Sequence, residues 1–299
     1  MYVVLGASGN TGHVVANNLL ARGQKVRVVG RNAAHLQPLT AKGAEAFIAD
    51  VTDANSLAKA FQQADSAYVM IPPDITNTNP LSYSNRVSDA IASAVQNAGT
   101  KNVVALSSIG AEQASGTGPV VGLHNLEQKL NQINGVNVLN LRAGYFMENT
   151  LPQVNAIRQM GSVAGPLRPD LKVPMIARRD IGNVAADNLL HPATRGKQTR
   201  ELLGQSDLTY TDVATIIGKA IGRPDLGYVQ VPDDQFRSVL VQMGMSEQVA
   251  RLLLEMTAAL NSGKMRALEP RTPQNSTPTS FETFVAEIFV PAYQHQAAA

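Results

Sequence analysis

Three glycines near the start of the chain have the spacing of a phosphate-binding loop. They are Gly6, Gly9 and Gly12 in the segment GASGNTG, which follows the apolar run Met1–Leu5. Backbone N–H groups at the N-terminus of a helix bind a pyrophosphate well, because the helix dipole is positive there. Gly6 would permit the sharp turn, Gly9 the approach of the phosphates, and Gly12 the close packing of helix on strand. Three short polar side chains of the loop can add hydrogen bonds to phosphate oxygens: Ser8, Asn10 and Thr11.

The segments around this loop form one strand, helix and strand unit. Met1–Leu5 is rich in β-branched and aromatic residues, and apolar residues then recur with helical spacing as far as Arg22-Gly23, where the glycine ends the helix. Lys25–Val29 is a second strand. A glycine loop inside such a unit of about thirty residues predicts dinucleotide binding. The alternative is a glycine-rich turn in an unrelated α/β protein.

The residues after the second strand indicate which dinucleotide is bound. An NAD site usually has Asp or Glu about 20 residues past the glycines, where it binds the ribose 2′-hydroxyl. Arg31 lies in that place, and the chain has no Asp or Glu before Glu45. A guanidinium can bind a 2′-phosphate bidentately and a carboxylate would repel it, so NADP(H) is favoured. The alternative is that Arg31 is a solvated surface arginine.

The first half of the chain continues to alternate strands and helices. Apolar runs predict further strands at Ala44–Ala49, Asp65–Ile71, Asn102–Leu106 and Val136–Leu141, with helical patterns between them. Such alternation predicts a parallel, doubly wound sheet with right-handed crossovers. Ligands of these sheets bind outside the carboxyl ends of the strands. The loops after the first, second, fourth and fifth strands should therefore face the cofactor.

Residues at these carboxyl ends are expected to contact the dinucleotide. Asp50 and Val51 follow the third strand, near the place of the adenine, and Asp50 can accept a hydrogen bond from the adenine amino group. Alternatively, Asp50 only turns or caps the chain. The other expected contacts lie at the ends of later strands: Ile71, Pro72, Ser107, Ser108, Gly144, Tyr145 and Phe146.

The composition excludes several classes of function. Of 299 residues, 16% are charged and 44% are hydrophobic, which predicts an ordered globular chain. The net charge of +2 is small and dispersed, so no nucleic-acid partner is expected. The absence of cysteine excludes disulfides, thiolate metal sites and thiol catalysis, and no metal site is predicted. Because a strand begins at Met1 and no apolar run approaches about 18 residues, we expect a cytoplasmic protein without signal peptide or membrane segment.

Residues 1–150 are expected to form the nucleotide-binding domain, to which some later segments return, and residues 151–299 mostly a smaller α/β substrate-binding part. The strands predicted there are Lys172–Ile176, Thr199–Leu203 and Tyr228–Val231. The predicted helices run from the N-cap Asp180 to Leu190, from Thr211 onward, and over Gln235–Gly244, Glu247–Leu260 and Phe281–Val290. Pro270–Ser280 is predicted to be a polar linker and Gln294–Ala299 a frayed terminus.

Several segments together resemble the NmrA-like family of atypical short-chain dehydrogenase/reductases. They are GASGNTG, the Arg31 strand end, Asp50-Val51-Thr52-Asp53, Leu106-Ser107-Ser108, Gly122-Leu123-His124-Asn125-Leu126-Glu127 and Arg142-Ala143-Gly144-Tyr145-Phe146-Met147-Glu148-Asn149. The similarity runs from Met1 to about His191. It implies a Rossmann domain with a small C-terminal substrate part and a preference for NADP(H). It also implies either reduction of a quinone, azo dye or similar acceptor, or redox sensing without chemistry.

The glycine loop is similar to that of short-chain dehydrogenases, but the catalytic residues usual in those enzymes are not all present in this chain. Those enzymes use a serine on strand five, a tyrosine, and a lysine four residues after it. Ser107 or Ser108 holds the serine position, but none of the seven tyrosines has a lysine at the fourth following position. Stereospecific carbonyl reduction is therefore not favoured. Hydride transfer to a conjugated acceptor needs less help, because the acceptor itself delocalises charge.

His124 and Tyr145 are the remaining candidates for catalysis, together with Ser107. Histidine titrates close to neutral pH, so His124 is the candidate acid, the alternative being a hydrogen-bonded structural residue. His124 and Glu127 are expected beside the buried leucine stripe of their helix rather than on it. Tyr145 would stack on a flat substrate. These side chains should converge with Ser107 near the nicotinamide.

Two function classes follow from the sequence. The first is an NADPH-dependent reductase of a small, flat or aromatic conjugated acceptor. The second is an NADP(H)-binding regulator without turnover, which would change its binding to a protein partner with the NADP/NADPH ratio. An epimerase or dehydratase acting on nucleotide sugars is less favoured, because it too depends on the absent tyrosine-lysine pair.

Overall fold

The computed structural model describes residues 1–193 and 195–295. Its strands in chain order are β1 (Tyr2–Leu5), β2 (Val26–Gly30), β3 (Glu45–Ile48), β4 (Ser66–Val69), β5 (Asn102–Ser108), β6 (Asn137–Ala143), β7 (Tyr145–Phe146), β8 (Val163–Gly165), β9 (Val173–Ile176), β10 (Lys197–Leu202), β11 (Ser206–Leu208) and β12 (Tyr228–Gln230).

The helices, in the same order, are α1 (Asn10–Ala21), α2 (Ala33–Thr40), α3 (Ala54–Ala60), α4 (Pro80–Ala98), α5 (Val120–Asn131), α6 (Gln153–Met160), α7 (Arg178–Leu190), α8 (Tyr210–Ala220), α9 (Asp233–Gln242), α10 (Glu247–Asn261), α11 (Phe281–Phe284) and α12 (Val290–His295). A 3-10 turn covers Met147–Thr150, and a π-helical turn, Val285–Phe289, joins α11 to α12.

Seven parallel strands form the main sheet, in the order β10-β6-β5-β4-β1-β2-β3. The chain starts in the middle of the sheet, moves outward to β3 and returns to β4 beside β1. That reversal defines the doubly wound Rossmann arrangement and opens a crevice at the carboxyl ends of β1 and β4. The predicted fold class is confirmed.

Helices cover both faces of this sheet, which is why its central strands are apolar on both sides. One core contains residues of α1, α2 and α7, for example Leu19, Leu39 and Ile181. The other contains residues of α3, α4 and α5, for example Leu57 and Ile91. The two layers of helices therefore cover the faces of the sheet and leave the carboxyl ends of its strands as the place where a ligand can bind.

A smaller part of the molecule has its own core. It contains a sheet in the order β11-β9-β7 and a two-stranded sheet of β12 and β8, packed with α6, α8 and the C-terminal helix. Phe281, Phe284 and Phe289 are fully buried in this core. The predicted C-terminal strand Thr199–Leu203 does not belong here, because β10 pairs with β6 in the main sheet.

Two helix starts differ from the sequence-based prediction. Asp180 is not the N-cap of α7, which is Ala177; Asp180 lies in the first turn. Its buried carboxylate accepts hydrogen bonds from Thr279 N at 3.0 Å and Thr279 Oγ1 at 2.8 Å, and long-range bonding therefore replaces capping. Helix α8 begins one residue before Thr211, because Thr209 forms a capping box with Asp212.

The segment Pro270–Ser280 is fixed rather than a free polar linker. Asp180 binds it at Thr279, and Asn275 is 3% exposed. The C-terminal helix also extends past the predicted end, since Gln294 and His295 are helical. The rest of the terminus predicted to fray, residues 296–299, lies outside the described residues.

Candidate functional site

The predicted glycine loop is a tight turn between β1 and α1. Gly6 adopts φ +64°, and Gly9 N donates to Gly6 O at 2.9 Å. A Cβ on Gly12 would lie 2.4 Å from Gly6 O, so only glycine lets α1 approach the strand this closely. Gly9 is the N-cap of α1, and no side chain caps this helix. The N–H groups of its first turn therefore have no competing side-chain acceptor and suit an anion.

The polar side chains of the loop do not all face the same way. Ser8 and Asn10 are exposed at the tip. Thr11 is only 5% exposed, and its Oγ1 accepts a hydrogen bond from the buried Tyr68 hydroxyl at 2.9 Å. This side of α1 packs on the sheet, and the hydrogen bond predicted from Thr11 to a phosphate oxygen stays a prediction.

Arg31, Asp50 and Val51 occupy the carboxyl ends of β2 and β3. Arg31 is exposed and makes no ion pair with the described residues. Asp50 Oδ1 accepts from Thr52 N and Thr52 Oγ1, both at 2.8 Å, which turns the chain and leaves Oδ2 without a partner among the described residues. Turning the chain and binding an adenine are thus compatible. The Val51 side chain is 6% exposed in the core, so the cofactor contact predicted for Val51 would come from its backbone.

A cavity of about 420 Å³ opens at the carboxyl ends of β4, β5 and β6. One wall brings together residues that the sequence assigned to the site: Ile71, Pro72, Ser107, Ser108, Gly144, Tyr145 and Phe146. The opposite wall is apolar and comes largely from α10, namely Val249, Leu252, Leu253, Met256 and Leu260. A second cleft of about 560 Å³ between α4 and α5 lies at the amino ends of β5 and β6, away from the glycine loop.

Ser107 is the inner end of a buried polar network. Its hydroxyl donates to Glu127 Oε1 at 2.5 Å. Arg142 binds the same carboxylate with Nε at 3.0 Å and Nη2 at 2.7 Å, and it reaches Glu112 with Nη1 at 3.2 Å. Although burial opposes the charge of Arg142, these carboxylates outweigh it and raise the arginine pKa. Glu127 is 2% exposed, so its predicted place beside the buried stripe is wrong.

Tyr145 lines the cavity, as does Tyr83 on α4. Its hydroxyl lies 3.1 Å from the hydroxyl of Tyr210, and the two rings meet edge to face at 6.2 Å. Burial raises the pKa of both phenols, and hydrogen bonds from Tyr210 and Asn149 oppose that shift at Tyr145. Either hydroxyl can donate in this pair. Because Tyr210 is 4% exposed, its hydrogen has a partner here when Tyr210 donates to Tyr145. The hydrogen of Tyr145 is then free to point into the cavity.

Phe146 and Arg178 form the edge of the cavity next to α7. The Arg178 guanidinium lies 5.5 Å from the Phe146 ring centre, a cation–π distance. Arg178 N donates to both carboxylate oxygens of Glu148, at 3.0 and 3.2 Å. Burial raises the pKa of Glu148, and these hydrogen bonds partly offset that effect. Arg178 is thus held at the edge of the cavity.

His124 is not among the described residues that line the cavity. Its Nδ1 lies 2.8 Å from Ala111 O, in the glycine-rich loop that precedes α5. The neighbouring cavity wall comes from Val120 and Leu123 on the same helix. The geometry therefore supports the structural alternative for His124 over the role of proton donor.

Several residues of the site had no signal in the sequence. Arg178 comes from a segment after β6, Tyr210 contacts Tyr145 from α8, and α10 supplies a wall from more than a hundred residues away. Glu127 did have a signal: it lies three residues before Leu130, inside the leucine stripe of α5, and Arg142 lies near the end of the next strand. A buried carboxylate needs such a partner.

The chain matches the NmrA-like family from residue 2 to residue 285. It belongs to that family.

Relatives of this NmrA-like chain include enzymes and a regulator. It is 29% identical over 260 residues to an NAD(P)H azoreductase of Xenophilus azovorans, covering 86% of each chain. An NADPH-dependent quinone oxidoreductase of Escherichia coli, solved with NADPH, has a TM-score of 0.81 at 24% identity, over 97% of this chain and all of that one. NmrA, a negative transcriptional regulator solved with NADP, has a TM-score of 0.69 at 16% identity, over 99% and 97%. The two structures show a shared fold.

No helix within residues 1–193 and 195–295 is both long and apolar enough to cross a membrane.

Proposed function

We propose that the protein is an NADPH-dependent oxidoreductase that reduces a small, flat conjugated acceptor such as a quinone or an azo compound. The observation that carries this proposal is the apolar cavity beside the glycine loop, which is walled by α10 and lined by the phenols of Tyr83 and Tyr145. Such a cavity suits an aromatic ligand and excludes water, and it does not need the tyrosine-lysine pair. The azoreductase and quinone oxidoreductase relatives act on acceptors of this class.

The residues present fit NADP(H). The loop cannot accept a Cβ at Gly12, and its helix N-terminus has no acidic residue in the first turn to compete with a phosphate. Arg31 would bind the 2′-phosphate, and Asp50 Oδ2 is available to the adenine amino group. Backbone and side-chain groups at Gly6, Ser8, Gly9, Asn10 and Gly12 would hold the pyrophosphate.

The chain's own residues would then complete the reduction. Bound NADPH supplies a hydride, and the acceptor also needs one proton at its reduced heteroatom. We assign that proton to Tyr145, which lines the cavity and whose oxygen can accept a hydrogen bond from Tyr210. Solvent returns a proton to the phenolate after the product leaves. Leu252, Leu253 and Met256 would pack on the flat face of the acceptor.

The test is NADPH oxidation by the purified protein, followed by the loss of NADPH absorbance, against quinones, azo dyes and aldehydes. We expect turnover with quinones or azo dyes and none with simple aldehydes. We also propose a cytoplasmic location. The reductase reaction requires no protein partner.

The second candidate is a redox sensor, favoured by the absent tyrosine-lysine pair and by the similarity to the NmrA regulator. A sensor would show different protease-cleavage patterns in its NADP-bound and NADPH-bound forms. It would not oxidise NADPH with any acceptor in the panel. Only this candidate requires a protein partner.

A further inference from the structure

The serines that line the cavity all donate their hydroxyl hydrogen to the protein. Ser84 donates to Pro80 O at 2.9 Å, Ser108 to Ile109 O at 2.9 Å, and Ser107 to Glu127 at 2.5 Å. A serine hydroxyl has one hydrogen and two lone pairs, so while these bonds are kept each oxygen can only accept from a ligand.

Ser107 differs from the other two in how firmly its direction is set. Ser84 and Ser108 donate to neutral carbonyls and can rotate at the loss of one ordinary hydrogen bond. Ser107 donates to a carboxylate that is 2% exposed and bound by two nitrogens of Arg142. An ionised carboxylate has no hydrogen to give, and leaving it short of a donor in the interior is costly. The hydrogen of Ser107 is therefore committed to Glu127.

We propose that Glu127 is a positioning residue that fixes Ser107 as a hydrogen-bond acceptor, and that Ser107 binds an N–H or O–H group of the ligand in the cavity. The donor is either the carboxamide N–H of the nicotinamide or an amino or hydroxyl group on the acceptor molecule. This inference rests on the proposed function only where the group belongs to the reduced substrate, because binding of the nicotinamide carboxamide needs no turnover. It assigns the serine the opposite role from a proton donor, which leaves proton donation to Tyr145.

The polarity of the cavity follows from this assignment. Tyr145 directs a hydrogen inward from one side, and Ser107 directs lone pairs inward from the end of β5. A ligand that both accepts and donates, such as an amino- or hydroxy-substituted conjugated acceptor, matches both groups. A ligand with acceptor atoms alone finds no partner in Ser107.

The experiment uses Ser107→Ala, Glu127→Gln and the double variant. The amide introduced by Glu127→Gln can donate an N–H to Ser107 Oγ while its oxygen accepts from Arg142, which would turn the serine hydrogen toward the cavity. The first arm measures the Kd of NADPH and of its reduced 3-acetylpyridine analogue, which has a methyl group in place of the amide nitrogen. The second arm measures KM and kcat for azobenzene and 4-aminoazobenzene.

If the nicotinamide carboxamide supplies the N–H group, each single variant raises the Kd of NADPH about five- to tenfold, as expected for one hydrogen bond. The Kd of the analogue is then unchanged. If the substrate molecule supplies the N–H group, each single variant binds NADPH as before, and its KM rises for 4-aminoazobenzene but not for azobenzene. In either case the double variant is no worse than Ser107→Ala, because Glu127 acts through that serine. Additive losses, or no change in any of these quantities for Ser107→Ala, would overturn the proposal.

Two features keep the result interpretable. Ser107→Ala removes one hydroxyl and leaves the Glu127–Arg142 pair in place, so it tests the proposal even if Glu127→Gln does not fold. The binding arm needs no turnover, so a protein that reduces no acceptor would refute the proposed function and still answer the carboxamide question.

Discussion

Replacing Tyr145 by Phe tests the proton-donor assignment directly. The ring stays and only the hydroxyl is lost, so stacking on a flat acceptor is preserved. We expect kcat to fall about 10²-fold, the lower end of what general acid catalysis contributes, because a conjugated acceptor delocalises part of the charge. KM should change little. The assay is NADPH oxidation under saturating acceptor, with single-turnover measurement of the hydride step.

The same variant has a calculable effect on stability. Without the Tyr145 oxygen, the Tyr210 hydroxyl, now 3.1 Å from it and in a residue 4% exposed, has no acceptor. An unsatisfied buried donor costs about 1–3 kcal/mol. For a chain of this size, that lowers Tm by about 2–6 °C. The double variant with Tyr210→Phe should recover part of the loss, since it removes the unpaired hydroxyl.

Tyr210→Phe alone is the matched control. It removes the same inter-tyrosine hydrogen bond but keeps the hydroxyl that faces the cavity, so kcat should stay within about threefold. Equal loss of kcat in Tyr145→Phe and Tyr210→Phe would show that packing, not proton donation, is responsible. Because burial raises the pKa of Tyr145, the phenol stays protonated through neutral pH. The kcat of the unmodified protein should therefore be flat from about pH 6 to about pH 9, and a fall close to neutral pH would point to a histidine instead.

Three further results are expected. NADPH should bind at least about tenfold more tightly than NADH, and Arg31→Asp should reverse this order; equal affinities in the unmodified protein would refute the role of Arg31. Gly9→Val should abolish cofactor binding, because its side chain would lie where the phosphates approach the loop. Circular dichroism should stay native, because Gly9 has an extended backbone and its Cβ would meet only Gly6 O, at 3.2 Å. His124→Ala should leave the pH profile of kcat unchanged and lower stability by about 1 kcal/mol through its lost bond to the 110–118 loop, and a loss of turnover of about 10²-fold would restore histidine as the acid.

Much of the fold could be predicted from the sequence because its determinants are local. The period of apolar residues marks strands and helices, and Gly6, Gly9 and Gly12 mark a turn that admits no side chain at Gly12. Those patterns were enough to predict a doubly wound parallel sheet and the edge at which its ligand binds. They failed where a distant partner decides the outcome: Asp180 serves Thr279 instead of capping its helix, and β10 completes the main sheet.

The sequence by itself determined the dinucleotide loop, the cation at Arg31 and the absence of a tyrosine-lysine pair, since each is a matter of residue type and spacing. Only the tertiary structure decided which side chains share the cavity. His124 and Glu127 are three residues apart on one helix, yet His124 contacts the buried Ala111 in the preceding loop and Glu127 binds both Ser107 and Arg142. The direction in which a hydroxyl donates depends on its neighbours across the fold, and no local pattern encodes those neighbours.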